Sequence, residues 1–279
     1  MKPKWLIEHF DERNGTHNLV AEVEKQGYEL ALIEYTPIQQ GSIDVFSPDD
    51  CVITQTSISI ALDIMKAKKW VPGPWVTSKN YECSSYYAHL GKYLFNDPYV
   101  IMPRNDVPRH LNQLHKWIGK DDKLFMRPNS GLKPFTAQVF NLGLNDQSYL
   151  FDADWGWVKE FTDPETLIVI AGPKVIQGEW RFIVAGKEVI TGSQYQLKDN
   201  DLKTAPEYPQ EAWDLAVEVA CTYQPDPMFV VDICLGEDNK YYLMEIGAFS
   251  IAGLYSCNME KIVQAAVKVA EQEWTDLHG

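Results

Sequence analysis

Two acidic side chains interrupt two apolar runs near the end of the chain. Asp232 sits within Val230-Val231-Asp232-Ile233 and Glu245 within Tyr242-Leu243-Met244-Glu245-Ile246; the turn Gly236-Glu237-Asp238-Asn239-Lys240 separates the runs. Apolar runs flanking such a turn read as neighbouring strands of a hairpin. An ionised carboxylate among apolar neighbours is costly unless a cation compensates it. Two side by side also repel, and a divalent metal held by oxygen ligands would answer both charges at once. For Asp232 a buried arginine or a set of turn amides would serve instead.

Two further stretches supply cations. In Phe125-Met126-Arg127-Pro128-Asn129-Ser130-Gly131-Leu132-Lys133-Pro134-Phe135-Thr136 an apolar strand ends on Arg127, a turn follows, and Lys133 precedes the next strand. Arginine offers phosphate a fork of donors, lysine a mobile point charge, and a glycine-containing loop lets backbone amides approach an anion. The plain alternative is a hairpin with solvated basic residues. In Gly178-Glu179-Trp180-Arg181-Phe182, strand alternation puts Glu179 and Arg181 on one face; the plain alternative there is a surface ion pair of little worth. His110 and His115 do not share a helical face at ligand spacing, and neither H-E-x-x-H nor G-x-S-x-G occurs.

The elements that must hold these residues follow from hydrophobic period. Strands are expected at 5–10, 29–35 and 51–55 with helices at 18–26 and 57–68, a β-α-β beginning that implies a parallel sheet. Val71-Pro72-Gly73-Pro74 should break the chain, and 81–95 mixes aromatic and polar residues without a clear period. Pro98, Pro103 and Pro108 punctuate a connection, which divides a domain 1–100 from a domain 101–279. A helix is expected at 107–118, and strands at 123–127, 135–142, 148–152, 166–171, 179–184 and 187–195 before the hairpin. Helices at 209–222 and 259–274 interrupt them, the second with Ile262, Val263, Ala266, Val269 and Ala270 on one face. The fold class is therefore α/β plus α+β.

Bulk properties exclude several functions. The 279 residues are 45% apolar and 12% aromatic, enough for substantial cores. A formal charge of −14 argues against a general nucleic-acid binder. Cys51, Cys83, Cys221, Cys234 and Cys257 are scattered without a C-x-x-C pair and read as reduced, mostly buried thiols of a cytoplasmic protein. No apolar secretory segment opens the sequence and no run is long enough to span a membrane.

Taken in order, the stretches resemble an ATP-grasp enzyme, and more closely the divergent clade in which arginine replaces the first nucleotide-binding lysine, the clade of the cell-division-cycle-type translation-initiation regulator. Phe125-Met126-Arg127-Pro128, Lys133-Pro134-Phe135-Thr136, Glu179-Trp180-Arg181-Phe182, Thr191-Gly192-Ser193-Gln194-Tyr195, Asp232 and Glu245 carry the resemblance, over roughly 124–274. It implies an ATP-grasp domain of two α+β lobes with ATP between them, preceded by the small α/β domain. It further implies ATP and Mg²⁺ as cofactors, with Arg127 and Lys133 on the phosphates and Arg181 on the γ-phosphate or the reacting carboxylate. Residues 167–172 (LIVIAG) would be a hinge holding adenine near Ile170 and Ala171, Glu179 would meet the ribose, and Asp232 and Glu245 would hold the metal. Ser193 and Tyr195 are candidate acceptor walls. Gly131 and the loop 141–146 are candidate lid parts. The family usually has asparagine two residues after the metal-binding glutamate; this chain has Gly247, one ligand fewer.

The implied activity is an ATP- and Mg-dependent ligase. It would form an acyl phosphate on a carboxylate and join it to an amine or thiol, a peptide or protein end being one acceptor class. One alternative is a nucleotide-binding assembly factor that meets a protein partner through Trp70, Trp75, Tyr86, Tyr87 and Tyr93, although core packing would equally explain these aromatics. Another is a structural protein whose acidic hairpin binds metal for stability.

Overall fold

The computed structural model describes residues 1–9, 15–34, 45–143, 148–198 and 201–279. The first sheet is parallel throughout, β2-β1-β3-β4, from β1 (Lys4–Glu8), β2 (Glu29–Ile33), β3 (Cys51–Gln55) and β4 (Val71–Gly73). Helices α1 (Thr16–Lys25) and α2 (Ile58–Ala67) carry two of the crossovers that parallel pairing demands. Residues 10 and 35, where the first two strands were expected to end, lie outside the described residues. The Val-Pro-Gly segment pairs rather than merely breaking the chain. As an edge strand β4 has one neighbour only, so the proline's missing N–H need cost no ladder bond. Residues 83–90 form α3 (Cys83–Leu90), with Cys83, Tyr86, Tyr87 and Leu90 buried at helical spacing.

The second sheet is antiparallel, β5-β8-β6-β7, from β5 (Tyr99–Pro103), β6 (Lys123–Pro128), β7 (Gln138–Asn141) and β8 (Leu167–Ala171). β5 occupies the proline-rich stretch taken as a connection; its edge position again accommodates Pro103. Helices α4 (Val107–Ile118) and α5 (Ser148–Glu160) contribute to this sheet's core. The strand expected at 148–152 is thus the start of a helix. Phe151, Trp155 and Val158 are buried at intervals of four and three residues, a helical period that a five-residue window does not reveal.

The third sheet, β11-β10-β9-β12-β13, is also antiparallel and comprises β9 (Ile176–Ala185), β10 (Glu188–Lys198), β11 (Asp201–Ala205), β12 (Met228–Gly236) and β13 (Tyr241–Ala248). Trp180, Phe182, Phe229, Val231 and Ile233 pack with Tyr86, Tyr87 and the small residues of α6 (Gln210–Thr222). Ile183, Met228 and Val230 belong to a second cluster with α7 (Met259–His278), which also takes in Trp5, Ile7, Cys51 and Ile53. Helix α7 therefore shares one core with the first and third sheets, and burying Ile262 and Val263 there contributes about 1.5–3 kcal/mol each.

Trp70, Trp75, Tyr86 and Tyr87 are all buried, so the partner surface suggested for them is core instead. The five cysteines are free thiols and only Cys221 is exposed. Among the described residues no helix is long and apolar enough to cross a membrane.

A polar knot ties the residues after β4 to the loop before β12. Buried Asp226 accepts hydrogen bonds from Thr77 N (3.0 Å), Thr77 Oγ1 (2.6 Å) and Tyr81 Oη (2.8 Å). Asn80 Nδ2 donates to the Pro225 carbonyl and Tyr223 Oη to that of Asn80. Removing the acceptor strands three donors, at about 1–3 kcal/mol for each that stays dry. Asp226→Ala should therefore lower stability in urea by about 3 kcal/mol; a loss below about 1 kcal/mol would show that water satisfies these donors.

Candidate active site

Strand register sets the site. Ser193 on β10 pairs with Arg181 on β9, Arg181 with Asp232 on β12, and Asp232 with Glu245 on β13. Directly opposed residues share a sheet face, so an arginine and two carboxylates stand in line across three strands. A register shift falls just past Asp232, where Ile233 pairs with Leu243 and Met244 is the extra residue.

Each carboxylate has cations of its own from the protein. Arg181 grips Asp232 bidentately, Nε to Oδ1 at 2.8 Å and Nη2 to Oδ2 at 2.7 Å, while its Nη1 donates to the Gly253 carbonyl at 3.0 Å. Its guanidinium lies 4.9 Å from the Tyr255 ring centre and 5.7 Å from that of Tyr195, and the two rings stack on each other. Glu245 is met from the second sheet: Arg127 Nη2 reaches Oε2 and Lys133 Nζ reaches Oε1, both at 2.7 Å. Burial pushes the Glu245 carboxyl up, but Lys133 and Arg127 outweigh it and hold its pKa down at about 2. Buried Arg127 has an Nε with no acceptor among the protein's groups.

Local structure positions these cations. β6 ends at Arg127-Pro128, and Asn129 then fastens the loop: its carbonyl accepts from Cys83 N and its Oδ1 from Ser84 N at the start of α3. A Cβ on Gly131 would lie 2.8 Å from Tyr81 Cβ, so glycine there lets the loop pack closely on Tyr81. Of the other expected lid segment, residues 144–147 lie outside the described residues.

Arg127, Lys133 and Glu245 wall two cavities. The larger, about 410 Å³, has apolar walls from Phe95, Phe125, Phe135, Val139, Ile176 and Met244. The smaller, about 230 Å³, lies toward the residues after β3 and β4 and is also lined by Arg181, Gly247 and Tyr255. Ile170 and Ala171 line neither. Their strand β8 is bonded on both sides, by β5 and β6, and both residues are fully buried. The rim near them is Gly172, Lys174 and Ile176 instead. Lys174, which the sequence reading passed over, donates from Nζ to the carbonyls of Phe95 and Asp97. Burial lowers its pKa. An unpaired lysine one turn past an apolar strand was the available signal. Glu179 lines neither cavity; burial raises its pKa against the hydrogen bond from Tyr195. Ser193, fully buried, donates from Oγ to the Ala205 carbonyl, Tyr195 stacks on Tyr255, and neither lines these two cavities.

The fit of a metal differs between the two carboxylates. Glu245 borders both cavities, and each of its oxygens, accepting one hydrogen bond, keeps a lone pair. Asp232 is 1% exposed, borders neither, and both its oxygens are held by Arg181. Among the described residues no three acidic, histidine or cysteine side chains cluster as a metal site.

A family model described as "ATP-grasp domain, R2K clade family 2" matches residues 108–265. This chain belongs to the ATP-grasp family. ATP-grasp ligases use ATP and Mg²⁺. Solved ATP-grasp structures share the fold over the full length. D-cycloserine synthetase DcsG aligns with a TM-score of 0.64 at 11% identity, covering 97% of this chain and 99% of that one. D-alanine–D-alanine ligase from Bacillus anthracis complexed with ATP gives 0.61 at 11%, covering 100% and 99%. The ATP-grasp ligase PsnB complexed with minimal precursor gives 0.58 at 12%, covering 96% and 99%. No curated protein matches in sequence. The ATP-grasp fold and the small α/β unit before it agree with the sequence expectation.

The depressed pKa of Glu245 sets a pH signature for this ATP-grasp site. Its ion pairs stabilise the fold fully above the ordinary value of 4.5 and lose that contribution as pH falls toward 2. Glu245→Gln, which strands Arg127 and Lys133, should cost about 3 kcal/mol at neutral pH. The gap between wild type and variant should close between pH 4.5 and 2 in denaturant titrations. A gap independent of pH would remove the charge from the explanation.

Proposed function

We propose that this chain is an ATP-dependent carboxylate–amine ligase with its two substrates on opposite sides of the Arg127–Glu245–Lys133 cluster. The observation that carries the reading is that these three side chains wall both cavities at once. The larger cavity suits the nucleotide: flat apolar walls for the base, Gly172 and Lys174 at its rim, and two cations at its inner end. The smaller suits an acceptor carboxylate at Arg181.

Arg127 and Lys133 neutralise one charge between them beyond that of Glu245. Triphosphate would draw both toward its oxygens, satisfying the idle Arg127 Nε. Magnesium would be held by Glu245 and the phosphates, supplying charge neutralisation to the phosphoryl group. Arg181, fixed by Asp232, the Gly253 carbonyl and two tyrosine rings, would present its remaining N–H bonds to the acceptor carboxylate without reorganising. Asp232 is in this reading an arginine-orienting residue; binding metal would require it to release Arg181. A carboxylate oxygen attacks the γ-phosphorus as ADP departs; an amine nitrogen then attacks the acyl carbon as phosphate departs. Walls around both cavities limit hydrolysis of the acyl phosphate.

PsnB in complex with its precursor supports a peptide as one acceptor class, and the D-alanine–D-alanine ligases support a small amino acid. The assembly-factor alternative loses most of its proposed surface, since four of its five aromatics are buried and Tyr93 is partly buried. A purely structural metal hairpin loses its own, since both carboxylates are already paired by protein cations.

Purified protein given MgATP, a panel of carboxylates and an amine should release ADP in a carboxylate-dependent manner. Lys133→Ala and Glu245→Ala should each reduce that release by about a hundredfold or more. Unchanged ADP release in both variants would sink the assignment.

A further inference from the structure

Gly247 pairs with Val230 in the middle of the acidic hairpin and borders the smaller cavity. Its φ lies outside the left-handed region, so the backbone does not require glycine there. A Cβ built on it meets a single neighbour within 4 Å, Val230 Cγ2 at 3.0 Å, and otherwise open space. A glycine in a strand interior costs stability and marks close approach of something to the backbone. Here the open space beside the backbone belongs to a cavity.

The rest of that wall restricts the occupant. Its cations, Arg127, Lys133 and Arg181, lie with Glu245 at one corner. Elsewhere the wall is aliphatic, from Ile58, Val76, Val230, Ile246 and Ile251. Away from that corner its hydroxyls already donate, Tyr81 Oη to Asp226 and Ser78 Oγ to the Val76 carbonyl, while Tyr255 lies beside Arg181. A second carboxylate away from that corner would meet no cation, and a polar side chain there would face an aliphatic wall. At about 230 Å³ the cavity is below the range of about 300 Å³ upward typical of drug-sized ligands.

We propose that the smaller cavity is an acceptor site for a monocarboxylate with a compact aliphatic body, and that Gly247 sets its size limit. In place of the ligand an asparagine would supply, Gly247 leaves room for the acceptor. The chemistry is shared by a free aliphatic acid and by the C-terminal aliphatic residue of a peptide. The inference rests on the ligase reading above.

Hydroxylamine can stand in for the unknown amine. A carboxylate oxygen bonds to the γ-phosphorus as the bond to ADP breaks; hydroxylamine nitrogen then bonds to the acyl carbon, phosphate leaves, and a proton goes to solvent. The hydroxamate is read by its ferric complex. Acids to compare are acetate, isovalerate, succinate, phenylacetate and an N-acetylated dipeptide ending in valine. Isovalerate or the dipeptide should exceed succinate and phenylacetate in kcat/KM by about tenfold or more. Which of those two is preferred identifies the source of the carboxylate.

Gly247→Val should raise the KM of isovalerate or dipeptide relative to that of acetate by about tenfold, the cost of a methylene or two in a pocket. The melting shift given by ADP shows that the variant is folded. Val230→Ala, which enlarges the same wall, should shift the preference toward phenylacetate; it guards against a Gly247 variant that does not fold. Hydroxamate formation with no aliphatic preference, or with a preference that both variants leave unchanged, overturns this inference while the ligase reading stands. No hydroxamate from any acid overturns the ligase reading and this inference with it.

Discussion

Two carboxylates and an arginine standing in one row across an antiparallel sheet constrain everything around them. Asp232 and Glu245 are directly opposed on β12 and β13, and Arg181 faces Asp232 from β9. Arg181 answers Asp232, and the row leaves Glu245 without a cation of its own sheet. The answer comes from Arg127 and Lys133, more than a hundred residues earlier and on the second sheet or just past it. The charge balance thus adds a polar tie between two sheets that also share a core through Val169. The lobes can diverge on either side of that tie, and the two cavities lie where they do.

Such pairs are weak evidence for stability, because desolvation consumes most of the Coulomb gain. Their worth here is orientation. Arg181 is fixed through three N–H bonds and two aromatic faces, so under the proposed function a substrate anion would meet a donor that need not be reorganised. The Arg127–Glu245–Lys133 cluster is different, since Lys133 is half exposed and Arg127 keeps an idle donor. One pair is a fixed support and the other, with an idle donor and a half-exposed lysine, is the one the proposed function would open to a phosphate. The first sheet completes the arrangement: α7 shares its core, and the Asp226 knot holds Ser78 and Tyr81 against the smaller cavity.

Much of this was legible in the chain. The acidic hairpin, the strand ending on Arg127, the helix at 107–118 and the amphipathic final helix are visible because each is a local matter of residue type and period. The departures have physical causes. Residues 148–152 hold a short apolar run, Tyr149-Leu150-Phe151, that continues into a helical period. The proline-marked segments 71–73 and 99–103 form strands because edge positions tolerate proline. Residues 167–171, which the resemblance implied as part of a hinge, form a strand bonded on both sides, with Ile170 and Ala171 buried at the centre of a sheet.

The sequence alone determined that Asp232 and Glu245 need cations and that Arg127, Lys133 and Arg181 are the candidates, since the cost of burying charge depends only on residue type and apolar surroundings. It also determined that position 247 carries no side chain. Only the tertiary structure decided which cation meets which acid, that Asp232 belongs to Arg181, and that the space beside Gly247 opens into a cavity. Those outcomes depend on strand register and on the packing of one sheet against another. Both are set by contacts between residues far apart in the chain, and no local pattern records them.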